Sequence, residues 1–137
     1  MTGQPGSSAV IAPLRDQDDV VRLRQTVRKL ASQVGLSLVD LTKIVTAASE
    51  LARNTVVYGG GGHAELELVN APRHGLRLSF VDEGPGIVDV ERALAGGNST
   101  GNGLGLGLSG SRRLADEFDL QTAPGKGTRV TVVKWKP

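Results

Sequence analysis

The stretch Gly103–Leu108 reads Gly-Leu-Gly-Leu-Gly-Leu, and Gly110 follows it closely. A glycine inside a regular helix or strand costs roughly 0.5–1 kcal/mol relative to alanine, so this concentration indicates a requirement other than stability. The plainest requirement is a backbone that comes very close to a ligand with its N–H groups uncovered. Phosphate is the usual ligand of this kind, because N–H groups at the start of a helix bind anions. The run therefore predicts a phosphate site, although it does not by itself identify the type.

Three familiar phosphate-binding signatures do not match the surrounding sequence. The glycine spacing from Gly105 to Gly110 is that of a dinucleotide site, but such a site follows a strand and has an acidic residue about 20 positions on. Here a loop rich in Gly, Asn and Ser precedes the glycines, and no acid lies near Val130. Gly125–Thr128 lacks the spacing of a P-loop. The catalytic-loop and metal-loop signatures of eukaryotic-type kinases are also absent.

Length and composition narrow the class of protein. The absence of cysteine excludes a thiol nucleophile, a zinc–thiolate site and a disulfide framework. We expect a flexible lead at residues 1–8, without a signal peptide, and a single domain at residues 9–137. No apolar run is long enough to cross a bilayer, so a cytoplasmic protein without a membrane partner is expected. The net charge is only +2 and the basic tail has no aromatic platform, so no nucleic acid is expected.

Residue periodicity predicts helices on a sheet. Acidic residues at 16–19 open a first helix, which Gly35 stops, and Ser37 caps a second that runs to about Tyr58. Shorter helices are predicted at 88–94 and 103–118, and strands at 9–14, 64–69, 76–82, 120–123 and 128–135. The fold class is therefore α+β: a two-layer α/β sandwich, with helices on one face of a mixed, mostly antiparallel sheet.

Two polar clusters give the glycine run a chemical context. Glu50 and Asn54 stand four residues apart and share one face of the second helix. A carboxylate can accept the proton of an attacking hydroxyl, and an amide oxygen can bind Mg²⁺. In Asp82-Glu83-Gly84-Pro85-Gly86, a carboxylate at a strand end precedes glycines that let a flat group approach the backbone. Taken alone, the first cluster also suits an exposed helix face and the second a simple turn.

Together the three clusters resemble, in order and spacing, the N, G1 and G2 boxes of the GHKL ATPase superfamily, with its Bergerat ATP-binding fold. The resemblance covers about residues 9–135. Histidine kinases of the superfamily add a dimerisation helix with a phosphoacceptor His, and other members add transducer domains. The chain is most similar to the free-standing bacterial serine/threonine kinases of the anti-sigma-factor kinase family, in particular the RsbT-type stressosome switch kinases. The motifs that carry this likeness are Ser49–Asn54, Gly103–Leu108, Arg113–Phe118 and Gly125–Thr128.

The resemblance implies a role for each matching residue. Asn54 would hold Mg²⁺ between the ATP phosphates, and Glu50 would act as the general base. Asp82 would read adenine, and Thr128 would support that recognition. The glycines implied to contact ATP are Gly84 and Gly86 beside the base, and Gly103, Gly105 and Gly107 around the phosphates.

The resemblance also implies a mobile ATP lid at residues 95–102. Arg53, Arg112 and Arg113 are candidates for a contact with the γ-phosphate, but a solvated helix face is the favoured interpretation of each.

The implied function is that of an ATP- and Mg-dependent protein serine/threonine kinase that phosphorylates a STAS-domain partner in a stress or sigma-factor pathway. A second partner, such as a PP2C-type phosphatase, is expected of such a switch. The alternative is an anti-sigma-factor-type binding module, in which the ATP site mainly regulates association with a sigma factor.

Overall fold

The computed structural model describes residues 9–87, 94 and 104–137. Within them lie three helices, α1 (Gln17–Val34), α2 (Leu38–Val57) and α3 (Leu104–Leu114). The strands are β1 (Val10–Leu14), β2 (Gly62–Val69), β3 (Gly75–Asp82), β4 (Glu117–Thr122) and β5 (Thr128–Trp135). No helix in this part of the chain is long and apolar enough to span a bilayer. The predicted lead, the ATP lid and all but Leu94 of the predicted helix at 88–94 lie outside the described residues.

The two long helices begin and end where local chemistry dictates. The Asp16 carboxylate accepts the N–H of Asp19 at 3.0 Å and caps α1, as acidic residues at 16–19 predicted. Gly35 ends the same helix with φ 91°, a left-handed backbone that favours glycine. The Ser37 hydroxyl accepts the N–H of Asp40 at 3.1 Å and starts α2. These caps confirm the predicted helix boundaries to within a residue or two.

All five strands belong to one sheet in the order β1-β2-β3-β5-β4. Each of the four described ladders is antiparallel, in agreement with the predicted fold class. The chain leaves β3, passes through α3 and β4, and returns as β5 beside β3. This crossover sets Asp82, at the end of β3, opposite Thr128, at the start of β5.

The hydrophobic core lies between the helices and one face of the sheet. Leu66, Leu78 and Val132 are fully buried and stand side by side on β2, β3 and β5. They join Leu23 of α1 and Leu51 of α2 in one continuous cluster. The opposite sheet face is polar, with ion pairs between Glu65 and Arg129 and between Glu67 and Arg77. This division explains the period-two alternation of the strand sequences.

One predicted boundary is wrong. The helix predicted to continue to Phe118 ends at Leu114, and β4 begins at Glu117 rather than at 120. The reason is Asp116, whose N–H donates to the carbonyl of Val133 at 2.9 Å. Its carboxylate also accepts the N–H of Trp135 at 2.7 Å. These contacts attach the chain to β5 immediately after α3, which favours strand over helix.

Candidate functional site

A cavity opens between α2, the end of β3 and the start of β5. Its lining residues are Leu51, Asn54, Thr55, Tyr58, Gly59, Phe80, Asp82, Pro85, Gly86, Ile87, Leu108, Thr128 and Val130. The walls are largely apolar, and few polar side chains converge on the space. An apolar slot with a few placed polar groups is typical of a small-molecule site.

Among the described residues that line the cavity, Asp82 is the only acidic one, and its carboxyl is partly buried. The N–H of Gly84 donates to its Oδ1 at 2.9 Å. Burial raises the pKa of Asp82, while hydrogen bonds from the backbone N–H groups of Gly84 and Thr128 pull that pKa down. No salt bridge to this carboxylate occurs among the described residues. The carboxylate is therefore held in place with capacity left to accept a hydrogen bond from a ligand.

Three glycines make room around Asp82. A side chain at Gly59 would overlap the Asp82 carboxylate, and a Cβ at Gly84 would lie 2.7 Å from the carbonyl oxygen of Gly59. Gly86 has φ 76°, and a Cβ there would overlap the carbonyl of Ala123. Gly84 and Gly86 were predicted, whereas Gly59 was interpreted only as a helix end. No sequence signal separates it from an ordinary glycine after a helix.

Asn54 lies in the last turn of α2 and lines the same cavity. Its Nδ2 is buried, and within the described ranges it has no hydrogen-bond partner. A buried donor left unpaired costs about 1–3 kcal/mol. The backbone carbonyl of Asn54 accepts the N–H groups of Tyr58 and Gly59 at 2.9 and 3.1 Å. These two hydrogen bonds fix the backbone of Asn54 at the end of α2. The side-chain amide is therefore available to a ligand.

The remaining predicted residues are distributed around the cavity. Thr128 lines it, and Thr128 Oγ1 lies 3.0 Å from Oγ1 of Thr122, a residue that sequence reasoning missed. Gly105 and Gly107 lie in the first two turns of α3, whose Leu108 side chain closes one wall. Gly103 lies outside the described residues.

Glu50 and the candidate arginines do not line the cavity. Glu50 is exposed on α2, one turn before Asn54. Arg53 is exposed on the same helix. Arg112 and Arg113 are exposed in the last turn of α3, at the opposite end of that helix from Gly105.

The sequence matches a family model described as a histidine kinase-like ATPase domain over residues 14–134. The serine/threonine-protein kinase RsbT of Bacillus subtilis (strain 168) is 43% identical over 118 residues, which cover 85% of this chain and 89% of that protein. The anti-sigma F factor of Pasteuria penetrans is 30% identical over 118 residues, which cover 81% of this chain and 79% of that protein.

Two solved structures share the architecture. The RsbU and RsbW domains of a Mycobacterium tuberculosis protein superpose with a TM-score of 0.65 at 19% identity, covering 94% of this chain and 33% of that chain. A histidine kinase domain from Erythrobacter litoralis gives a TM-score of 0.53 at 18% identity, covering 89% of this chain and 60% of that chain. At these identities the likeness shows the fold alone, and it confirms the predicted fold class.

Proposed function

The chain belongs to the histidine kinase-like ATPase family, and we propose that it works there as an ATP-dependent protein serine/threonine kinase of a partner-switching pathway. A serine/threonine-protein kinase and an anti-sigma F factor, both similar to most of the chain, support this class of function. The observation that carries the proposal is the cavity in which Asp82, Asn54 and Thr128 converge. The proposed catalytic unit is a single domain at residues 9–137.

The Asp82 end of the cavity suits an adenine base. A carboxylate that accepts the backbone N–H of Gly84 has oxygen lone pairs left for the exocyclic amine of adenine. The side chains of Phe80 and Ile87 offer apolar surface to the flat ring, and Gly86 leaves the backbone uncovered beside it. Apolar contact and one placed acceptor together are expected to hold the base.

The Asn54 end suits the phosphates. The unpaired amide nitrogen can donate to a phosphate oxygen, and the amide oxygen is a ligand of the type that Mg²⁺ prefers. No cluster of three acidic, His or Cys residues that could hold a metal occurs among the described residues. Mg²⁺ would therefore be shared between Asn54 and the phosphates, whose negative charge it neutralises. Gly103, Gly105 and Gly107 would complete the site, with the free N–H groups at the start of α3 facing the phosphates.

Phosphate transfer needs a group that accepts the proton of the substrate hydroxyl. Glu50 is exposed, one helical turn from Asn54, where a partner protein could present a Ser or Thr. The hydroxyl oxygen would bond to the γ-phosphorus, its proton would pass to the Glu50 carboxylate, and ADP would leave. Exposure of Glu50 is what a macromolecular substrate requires.

The proposed substrate is a Ser or Thr of a STAS-domain protein, and the proposed second partner is a PP2C-type phosphatase. Relatives named as a serine/threonine-protein kinase and as an anti-sigma F factor support partners of this regulatory class. The proposed location of this activity is the cytoplasm, where ATP is available as the phosphate donor.

The test is transfer of labelled γ-phosphate from ATP to a cognate STAS-domain protein. We expect transfer by the wild-type chain and its loss in Glu50→Gln, which retains the size of the side chain but not its basicity. Glu83→Gln, at an acidic residue outside the cavity lining, is the control and should keep full activity. Undiminished transfer by Glu50→Gln would remove Glu50 from the mechanism.

A second candidate function is a binding module of the anti-sigma type. It is favoured by the position of Glu50 outside the cavity lining, since nucleotide can then be held without it. In that case Asp82→Asn weakens binding of a sigma factor, whereas Glu50→Gln leaves it intact. Pull-down against a sigma factor and against a phosphatase separates the two functions.

A further inference from the structure

Thr122 joins the loop after β3 to the hairpin between β4 and β5. Its Oγ1 accepts the N–H of Ile87 at 2.9 Å and lies 3.0 Å from both the carbonyl oxygen of Gly127 and Oγ1 of Thr128. A second bond, from the N–H of Gly125 to the carbonyl of Pro85 at 2.7 Å, holds the same two segments together. Thr122 itself is not part of the cavity lining.

The hydrogen bonds of Thr122 determine which way the proton of Thr128 points. A hydroxyl has one proton to donate and two lone pairs that accept. The carbonyl of Gly127 can only accept, so the single proton of Thr122 goes there. The lone pairs of Thr122 then accept the N–H of Ile87 and the hydroxyl proton of Thr128. All three positions around Thr122 Oγ1 are occupied, and the Thr128 proton is directed away from the cavity.

We propose that Thr122 is a positioning residue for base selectivity, because it makes Thr128 meet the bound base as an acceptor only. The inference rests on the proposed ATP site. With the Asp82 carboxylate and the Thr128 oxygen both accepting, the polar end of the cavity matches a purine with an amino group. A purine with a keto oxygen at the same position brings a third acceptor, which neither side chain can satisfy.

The experiment compares ATP with inosine triphosphate, in which a keto oxygen replaces the amine. The equilibrium dissociation constants of both nucleotides are measured for the full chain. In Thr122→Val the Thr128 hydroxyl is free to turn and donate, so the preference for ATP should fall about fivefold, the size of one net hydrogen bond. Thr122→Ser keeps the hydroxyl and should retain the wild-type preference.

Thr131→Val is the matched control. Thr131 lies on the same strand as Thr128 and shares a 2.9 Å hydroxyl contact with Ser79, on the polar face of the sheet away from the cavity. The same chemical change there should leave the nucleotide preference unaltered. Should Thr122→Val fail to fold, Thr122→Cys replaces it, since a thiol is a weak acceptor and must shift the preference in the same direction.

A general loosening of the hairpin would weaken the binding of both nucleotides equally. It would leave the ratio of their dissociation constants unchanged. An unchanged ratio in a folded Thr122→Val variant, with the wild type preferring ATP, overturns this inference alone. A wild-type chain that binds neither nucleotide overturns the proposed function and the inference with it.

Discussion

Asp82 and Thr128 stand opposite each other across the β3–β5 ladder, and the nearby backbone N–H of Thr128 helps to lower the pKa of the Asp82 carboxyl. The two residues are distant in the chain, and the crossover through α3 and β4 brings them together. The same pairing holds the carboxylate at the cavity edge. The sheet topology and the proposed recognition of the base therefore depend on the same strand pairing.

Asp82 should reduce the stability of the free protein at neutral pH. Burial raises its pKa above the ordinary value of 3.8, so the folded state binds the proton more tightly than the unfolded state. The carboxyl therefore costs stability once the pH exceeds its raised pKa, and the cost disappears as the pH falls below 3.8. We expect Asp82→Asn to raise the melting temperature at pH 7 but not at pH 3.

Thermal melts of wild type and Asp82→Asn at both pH values test the direction of this change in melting temperature. Glu83→Gln is the control, because Glu83 follows directly in sequence but does not line the cavity. A lower melting temperature for Asp82→Asn at pH 7 would mean that the bonds from Gly84 and Thr128 outweigh the effect of burial.

Gly59 should be essential for nucleotide binding, although it offers no side chain. An alanine there would push against the Asp82 carboxylate, so we expect Gly59→Ala to weaken ATP binding at least tenfold and to cost about 1–3 kcal/mol of stability. The control is Gly110→Ala in α3, where an added Cβ meets no described atom within 4 Å. That change should stabilise the helix by about 0.5–1 kcal/mol.

Chemical denaturation and equilibrium ATP binding of both alanine variants are the measurements. Equal ATP affinities for Gly59→Ala and wild type would show that the carboxylate can shift without loss, which contradicts the tight fit described above.

Asp19 should stabilise the start of α1. Its side chain is 1% exposed, and hydrogen bonds from Arg15 and Arg22 hold its pKa well below the usual range. A lowered pKa contributes stability above 3.8 that is lost as the pH falls below that value. We expect Asp19→Asn to lower the melting temperature at pH 7, and the difference from wild type to shrink in acid.

Asp18→Asn is the matched control, because Asp18 shares the first turn of α1 but is exposed. Both substitutions remove one negative charge from the same helix start, so their difference isolates the two arginine contacts. Equal melting temperatures for the two variants at pH 7 would contradict a special role for Asp19.

The sequence predicted the fold well where a local signal sets an element. Asp16, Gly35 and Ser37 mark helix ends by their own hydrogen bonds or backbone conformation. The local sequence alone therefore predicts these ends. The end of α3 was placed too late because it depends on Asp116 binding β5, a contact between distant parts of the chain. Helical periodicity cannot report such a contact.

In the candidate site too, residues with a local sequence signal were predicted, and residues that matter through their contacts were not. Asn54 and Asp82 were identified from the two polar clusters and Thr128 from the family resemblance, and the structure gathers them in one cavity. Gly59 and Thr122 were missed because their importance lies in what they touch. Gly59 excludes a side chain next to Asp82, and Thr122 ties Ile87 to Thr128. Neither carries a sequence signature that separates it from an ordinary turn glycine or strand threonine.

The proposed function requires that the cavity between α2 and β3 binds ATP through Asp82. Isothermal titration of ATP into the wild-type chain and into Asp82→Asn, in the presence of Mg²⁺, tests it most directly. We expect a saturable site in the wild type and an affinity at least tenfold lower in Asp82→Asn, because the amide nitrogen would face the exocyclic amine. Equal ATP affinities for the two folded proteins, or no binding by the wild type, would contradict it.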